Sequence, residues 1–162
     1  MKVGVEQIDY FFDKYCIEPG KILDVGGEGC AIENIVLPNH IYEQLNILNV
    51  KYNVKDDPYH WSMISNDTYD YTISTTTFEH IEYPWLTFLE MVRVTKPNGL
   101  IFVFVPGCGP IHRNPIDCWR IKPDGLRALA KLGEVDIVEI LEDNTGVWCY
   151  CSGIFKKRGN NG

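Results

Sequence analysis

Residues 21–29 read KILDVGGEG. An apolar run carries an acid, Asp24, near its end and passes straight into glycines. An apolar strand followed at once by Gly26, Gly27 and Gly29 has to turn sharply, and a turn without side chains lets a ligand approach the backbone. Such strand-to-helix turns are where nucleotides bind, because the free N–H groups of the next helix point at the ligand. The three glycines do not fit the dinucleotide spacing GxGxxG, and a tight turn alone would also require them.

The flanking sequence supplies the rest of a layered α/β pattern. Upstream, Val5, Ile8, Phe11, Phe12 and Tyr15 recur at helical spacing until Pro19-Gly20 ends the pattern. Downstream, HIYEQLNI (40–47), YDYTIS (69–74), GLIFVFVP (99–106), VDIVEILE (135–142) and VWCYCSGIFKK (147–157) read as strands. YPWLTFLEMVRVT (83–95) and KPDGLRALAKLG (122–133) read as helices. Residues 51–68 have no clear period. GLIFVFV is apolar at nearly every position, as a central strand covered on both faces must be. Strands alternating with helices predict a doubly wound, mostly parallel sheet. The last two strands are separated only by Asp143 to Gly146, too few residues for a helical crossover, so the sheet should end in an antiparallel hairpin.

The chain has 162 residues, 45% of them hydrophobic and 23% charged, with a net charge of -7. That length suits one domain, 1–162, and no linker or repeat divides it. The acidic balance disfavours nucleic acid as the principal partner, since phosphate neutralisation needs surplus Lys and Arg. No apolar run has signal-peptide or membrane-spanning length, which predicts a cytoplasmic protein that does not engage a membrane. Cys16, Cys30, Cys108, Cys118, Cys149 and Cys151 form no CxxC pair, and Cys149 and Cys151 would share one strand face. The expectation is free, mostly buried thiols and no metal site.

The KILDVGGEG strand resembles motif I of the class I, Rossmann-like S-adenosylmethionine-dependent methyltransferases. The resemblance implies a seven-stranded sheet, S-adenosylmethionine as cofactor, and a role for Asp24, Gly26, Gly27 and Gly29 around its methionine part. The second and third glycines of the family's loop fall on Glu28 and Cys30 here. The family places a ribose-binding acid at the end of its second strand. In this sequence Glu43 and Asn46 compete for the role, and relatives with a strand ending in Leu-Asp-Ile align Asn46 to it. Asn accepts a hydrogen bond without the charge assistance of a carboxylate. Asp56 and Asp57, in KDDPYHW, resemble the acidic loop that meets the adenine amine, although a solvated Asp-Pro turn reads the same way.

YDYTISTTTFEHI resembles the family's fourth strand and its Phe-Glu-His loop. Thr75 and Glu79 would thereby face the cofactor, with His80 beside them at the switch point of the sheet. A capping network for the next helix is the plainer reading of Glu79 and His80. KPNG resembles the family's Lys-Pro-Gly-Gly turn, with Asn98 in a position that tolerates left-handed backbone.

The loop GCGPIHRNPIDCWR (107–120) resembles that of small bacterial and phage-type methyltransferases, often found beside polysaccharide genes, with His-Arg-x-Pro-x-Asp-Cys-Trp-Arg after the fifth strand. Arg113 and Arg120 would clamp an anionic acceptor, Trp119 would stack on a ring, and His112, or else His80, would take the acceptor's proton. An Arg–Asp pair with Trp119 packed over the sheet edge is the structural alternative.

Together these readings predict methyl transfer to a small-molecule acceptor, such as a saccharide or sugar nucleotide. Acceptor choice would fall to this loop, the first helix or a partner subunit, as in a homodimer. A methyltransferase fold that binds without catalysing is the rival reading, whereas the missing GxGxxG counts against a nicotinamide oxidoreductase.

Overall fold

A computed structural model of the chain describes residues 6–27, 39–46, 52–55 and 57–159. In chain order the elements are α1 (Glu6–Lys14), β1 (Lys21–Val25), β2 (Ile41–Asn46), β3 (Tyr52–Asn53), β4 (Tyr69–Thr75), a 3-10 turn (Phe78–His80), α2 (Pro84–Val94), β5 (Thr95–Pro106), α3 (Pro123–Leu132), β6 (Asp136–Glu142) and β7 (Tyr150–Lys156). The strands form one sheet in the order β3-β2-β1-β4-β5-β7-β6, in which β3 contributes two residues. Pairings from β3 through β5 are parallel. β7 runs antiparallel to both neighbours, so the expected closing hairpin is present.

The central strand shows how the sequence buries both faces. Along β5, Ile101, Val103 and Val105 join the cluster beneath α2 and α3 with Phe88, Met91 and Leu126. Phe102 and Phe104 point the other way, into the cluster beneath α1 with Phe11 and Phe12. The two-residue alternation of a strand makes this division automatic. Phe11 stacks on Phe102 with ring centroids 4.5 Å apart. Burying each such ring stabilises the fold by about 1.5–3 kcal/mol. Pro84 opens α2, where its missing N–H costs nothing. Asn98 takes φ 66 at the start of β5, the left-handed backbone anticipated for the KPNG turn.

The cysteine expectation needs correction. Cys16 and Cys151 are free and buried and Cys118 is free and exposed, but Cys108 and Cys149 are joined in a disulfide with their Cα atoms 5.4 Å apart. The cause is register: Pro106 pairs with Tyr150 at the end of the antiparallel β5–β7 ladder, which sets the residues just beyond that end face to face. Cys149 also stands at φ 44, outside β7, so it does not share a strand face with Cys151. Among the described residues no helix is long and apolar enough to cross a membrane.

Candidate functional site

The sheet order reverses between β1 and β4: the chain builds β2 and β3 on one side and β4 and β5 on the other. Loops leaving such a switch point diverge and open a crevice at the carboxyl ends of the strands. A cavity of about 400 Å³ lies there, lined by Val25 at the end of β1 and Gly26 after it, Leu45 and Asn46 of β2, Thr76 and Thr77 after β4, and His80, among others. That volume suits a small ligand or cofactor. Gly26 stands at φ 86, and a Cβ there would collide with the Thr77 side chain, so the close approach of these two loops requires glycine. Asn46 Nδ2 donates to the Gly27 carbonyl at 3.1 Å, tying the end of β2 to the turn after β1.

The far wall comes from the stretch whose sequence showed no period. Trp61 is fully buried and lines the cavity with Val54 and Pro58. A network rooted in α2 holds it. Glu90 Oε2 accepts the Trp61 N–H at 2.7 Å, while Arg93 donates to Glu90 and to the carbonyls of Trp61 and Ile64.

The expected cofactor residues separate by position. Gly26 and Asn46 line the cavity. Asp24 is buried behind the turn, where it accepts the Tyr42 hydroxyl. Gly27 backs onto Asp24: a Cβ there would collide with the Asp24 carboxylate. Thr75 is buried, its carbonyl accepting Thr77 Oγ1 at 3.0 Å. Glu43 sits mid-strand, accepts the Tyr69 hydroxyl at 2.5 Å and lies 3.8 Å from Lys21 Nζ. Of the two ribose candidates, then, Asn46 is the one at the carboxyl end. Asp57 is exposed and is not in the cavity lining. Gly29 and Asp56 lie outside the described residues.

Beside the cavity the loops after β4 and β5 meet, because those strands are neighbours. Glu79, His80 and His112 converge there, with one ligand-type atom of each within 4.8 Å of the others. His80 Nε2 and His112 Nε2 each lie 3.8 Å from Glu79 Oε1. Glu79 is 1% exposed, and among the described residues neither of its carboxylate oxygens has a hydrogen-bond partner. Burial accordingly pushes its carboxyl above the ordinary glutamate value. His80 Nδ1 is 2.6 Å from the Ile116 carbonyl. A carbonyl only accepts, so that nitrogen carries the proton and Nε2 faces Glu79.

Asp117 organises the loop after β5, residues 107–120. Its Oδ2 accepts the His112 backbone N–H at 2.7 Å, and both its oxygens take the Arg120 guanidinium at 2.5 and 2.8 Å. Arg120 holds the Asp117 carboxyl well below the usual carboxylate range. Arg120 also donates to the Pro110 carbonyl at 2.6 Å, so its charge is engaged in shaping the loop. Trp119 donates to the Ile81 carbonyl at 3.0 Å and packs edge-on against Trp85, over the turn that enters α2. Arg113 is exposed, and no hydrogen bond or ion pair joins it to another described residue. Asn114 and Pro115 bring this loop to the cavity. The sequence had singled out none of Thr76, Thr77, Trp61, Asn114 or Trp148, whose ring lies 4.7 Å from that of His112.

Comparisons with known proteins agree with the fold. Residues 43–103 match the model of a methyltransferase domain family, a segment that ends before the loop after β5. Among curated proteins no sequence matches. Solved structures share the fold at low identity. A candidate methyltransferase from Bacillus halodurans C-125 is 10% identical, with a TM-score of 0.74, over 96% of this chain and 100% of its own. The 1,6-didemethyltoxoflavin-N1-methyltransferase of Burkholderia thailandensis, solved with its substrate and S-adenosylhomocysteine bound, is 12% identical, with a TM-score of 0.72, over 97% and 79%. The complex between the Haloferax volcanii Trm112 methyltransferase activator and a candidate methyltransferase gives 14% identity and a TM-score of 0.69 over 96% and 90%.

Proposed function

We infer that the chain is a methyltransferase that takes its methyl group from S-adenosylmethionine, and we propose that the acceptor is a small molecule bearing an anionic group, of the saccharide or sugar-nucleotide kind. The observation that carries the reading is the cavity at the switch point, walled by Gly26 and Asn46 on one side and by His80 on the other. The residues fit the cofactor: a left-handed glycine whose backbone a ligand can reach, a polar side chain at the end of β2, and apolar walls from Val25, Leu45 and Trp61. Gly26 and Asn46 would hold its amino-acid and ribose parts, with Gly27 tying Asn46 to the turn. When bound, the cofactor would supply a sulfonium methyl whose carbon an oxygen or nitrogen nucleophile attacks in line, the carbon–sulfur bond breaking to leave the thioether S-adenosylhomocysteine.

The chain's own part is alignment and proton handling. Asp117 fixes the backbone at His112, Ile116 fixes the ring of His80, and the two imidazoles converge on buried Glu79 next to the cavity. Removal of the acceptor's proton falls to this cluster. Arg113, exposed on the same loop, is free of ion pairs among the described residues and can meet an anionic acceptor, whereas Arg120 is occupied by Asp117. A local cation on an acidic protein concentrates anions at the site.

Calorimetry with S-adenosylhomocysteine is expected to show one saturable site. No heat and no thermal shift at millimolar ligand would refute cofactor binding and favour a binding-only role for the fold. Asn46→Ala is expected to weaken that binding about fivefold, the loss of roughly one neutral hydrogen bond, whereas Glu43→Gln should leave it within about twofold. Reversed sensitivities would assign the ribose contact to Glu43. With an acceptor found by screening sugar nucleotides, uronic acids and phosphorylated sugars with labelled cofactor, Arg113→Ala should raise the acceptor KM and spare cofactor affinity.

A further inference from the structure

We propose that Glu79, His80 and His112 form a binding site for one divalent transition-metal ion of the zinc class, placed at the edge of the cavity. Two imidazoles and one carboxylate are the donor set that zinc, cobalt and iron(II) prefer, with further positions left open for water or substrate. The carboxylate is the decisive group. Glu79 is almost wholly buried, has no hydrogen-bond partner among the described residues, and directs Oε1 toward both Nε2 atoms at 3.8 Å. An isolated buried carboxylate is costly, and a cation between it and the imidazoles removes that cost.

The spacing and the surroundings both fit. Tetrahedral zinc with ligands at about 2.0–2.1 Å separates its ligand atoms by about 3.4 Å, so the two Glu79–imidazole edges, each 3.8 Å, have to close by a few tenths of an ångström, and the two imidazole nitrogens, within 4.8 Å of one another, have to draw together further by a ring rotation. Metal-bound histidines characteristically donate their other ring N–H to a carbonyl or carboxylate. His80 Nδ1 already makes that bond to the Ile116 carbonyl at 2.6 Å. His112 Nδ1 lies 3.3 Å from Arg120 Nη2 and 3.7 Å from Asp117 Oδ2; an ion on Nε2 puts the ring proton on Nδ1, and because a guanidinium only donates, that N–H has to turn from Arg120 to Asp117. His112 is 38% exposed in its side chain, which leaves a path for the ion, and His80 also lines the cavity. The ion's task rests on the methyl-transfer reading: its charge would seat an anionic or hydroxyl-bearing acceptor and lower the pKa of a hydroxyl there. The binding of the ion does not rest on that reading.

The test is titration of chelator-treated protein with Co2+ at neutral pH. One equivalent should bind with visible d–d absorption and no thiolate-to-cobalt charge-transfer band. His112→Ala and Glu79→Gln should each weaken binding at least tenfold while circular dichroism stays native, and Cys118→Ser should change nothing. Absence of saturable uptake below millimolar Co2+, a thiolate band, or undiminished binding in both variants would overturn the proposal. S-adenosylhomocysteine calorimetry on the same metal-free protein separates the two readings. Cofactor binding without cobalt uptake removes the metal site alone, and cobalt uptake without cofactor binding removes the methyl-transfer reading alone.

Discussion

His112→Ala is expected to lower the maximal methyl-transfer rate by roughly two to four powers of ten, or about 3–5 kcal/mol of transition-state stabilisation. Cofactor affinity should stay within about twofold. The asymmetry follows from position. His112 is absent from the cavity lining that would hold the cofactor, yet its Nε2 is directed at Glu79 and its backbone is anchored by Asp117. Its loss removes proton handling, or an ion's ligand, without touching the cofactor's contacts. The structural cost should be small, because the ring is partly exposed and Asp117 bonds to the backbone rather than to the imidazole. The check is kcat and acceptor KM on an acceptor from the screen, together with cofactor calorimetry on the same preparation. A rate within threefold of the parent would show that His112 only packs against Trp148.

The second large effect is on stability. Arg93→Ala should destabilise the fold by about 3 kcal/mol, since it strands the Glu90 carboxylate and releases the Trp61 and Ile64 carbonyls together. For a chain of this size that is a fall in Tm of about 6–12 °C. Cofactor affinity should fall as well, because Trp61 is a wall of the cavity.

The effect has a pH signature. Burial pushes the Glu90 carboxyl up, but hydrogen bonds from Arg93 and from the Trp61 N–H outweigh it and hold the group below its ordinary value. The unfolded chain then binds the proton more readily than the folded one, so stability from this pair is fully present above the unfolded value of about 4.3. That stability is lost as pH falls through the folded value. The Tm gap between parent and Arg93→Ala should therefore be wide at pH 7 and narrow toward pH 3, as thermal scans across that range would reveal. A gap unchanged with pH would mean that the loss is one of packing rather than of charge.

Much of this architecture was legible because single strands and helices carry their own periods. GLIFVFVP declared itself central by having no polar face, and the four residues from Asp143 to Gly146 excluded a crossover and forced the hairpin. Residues 51–68 gave no such signal. Trp61 owes its place to Glu90 and Arg93, about thirty residues later, and a window of local sequence contains neither partner. The Cys108–Cys149 bond was hidden for the same reason: only the β5–β7 register brings together residues separated by 41 positions.

Within the site, His80 and His112 could be placed beyond the ends of the fourth and fifth strands from motif order alone. That both rings converge on a carboxylate with no hydrogen-bond partner among the described residues required side-chain directions. Arg120 shows the converse, since its charge suggested a ligand and its geometry gives it to Asp117.

The placement of β7 between β5 and β6 also bears on how the chain is made. Among the described residues β6 has no strand neighbour other than β7, so until β7 is made it has no strand there to pair with, and the edge of β5 that will carry β7 stays open. The polypeptide must hold that backbone edge unpaired until Tyr150 to Lys156 fill the slot from the opposite direction. Assembly of this half of the sheet is thus tied to a segment made after both of its neighbours, and until it emerges the open edge of β5 is a place where the nascent chain can mispair.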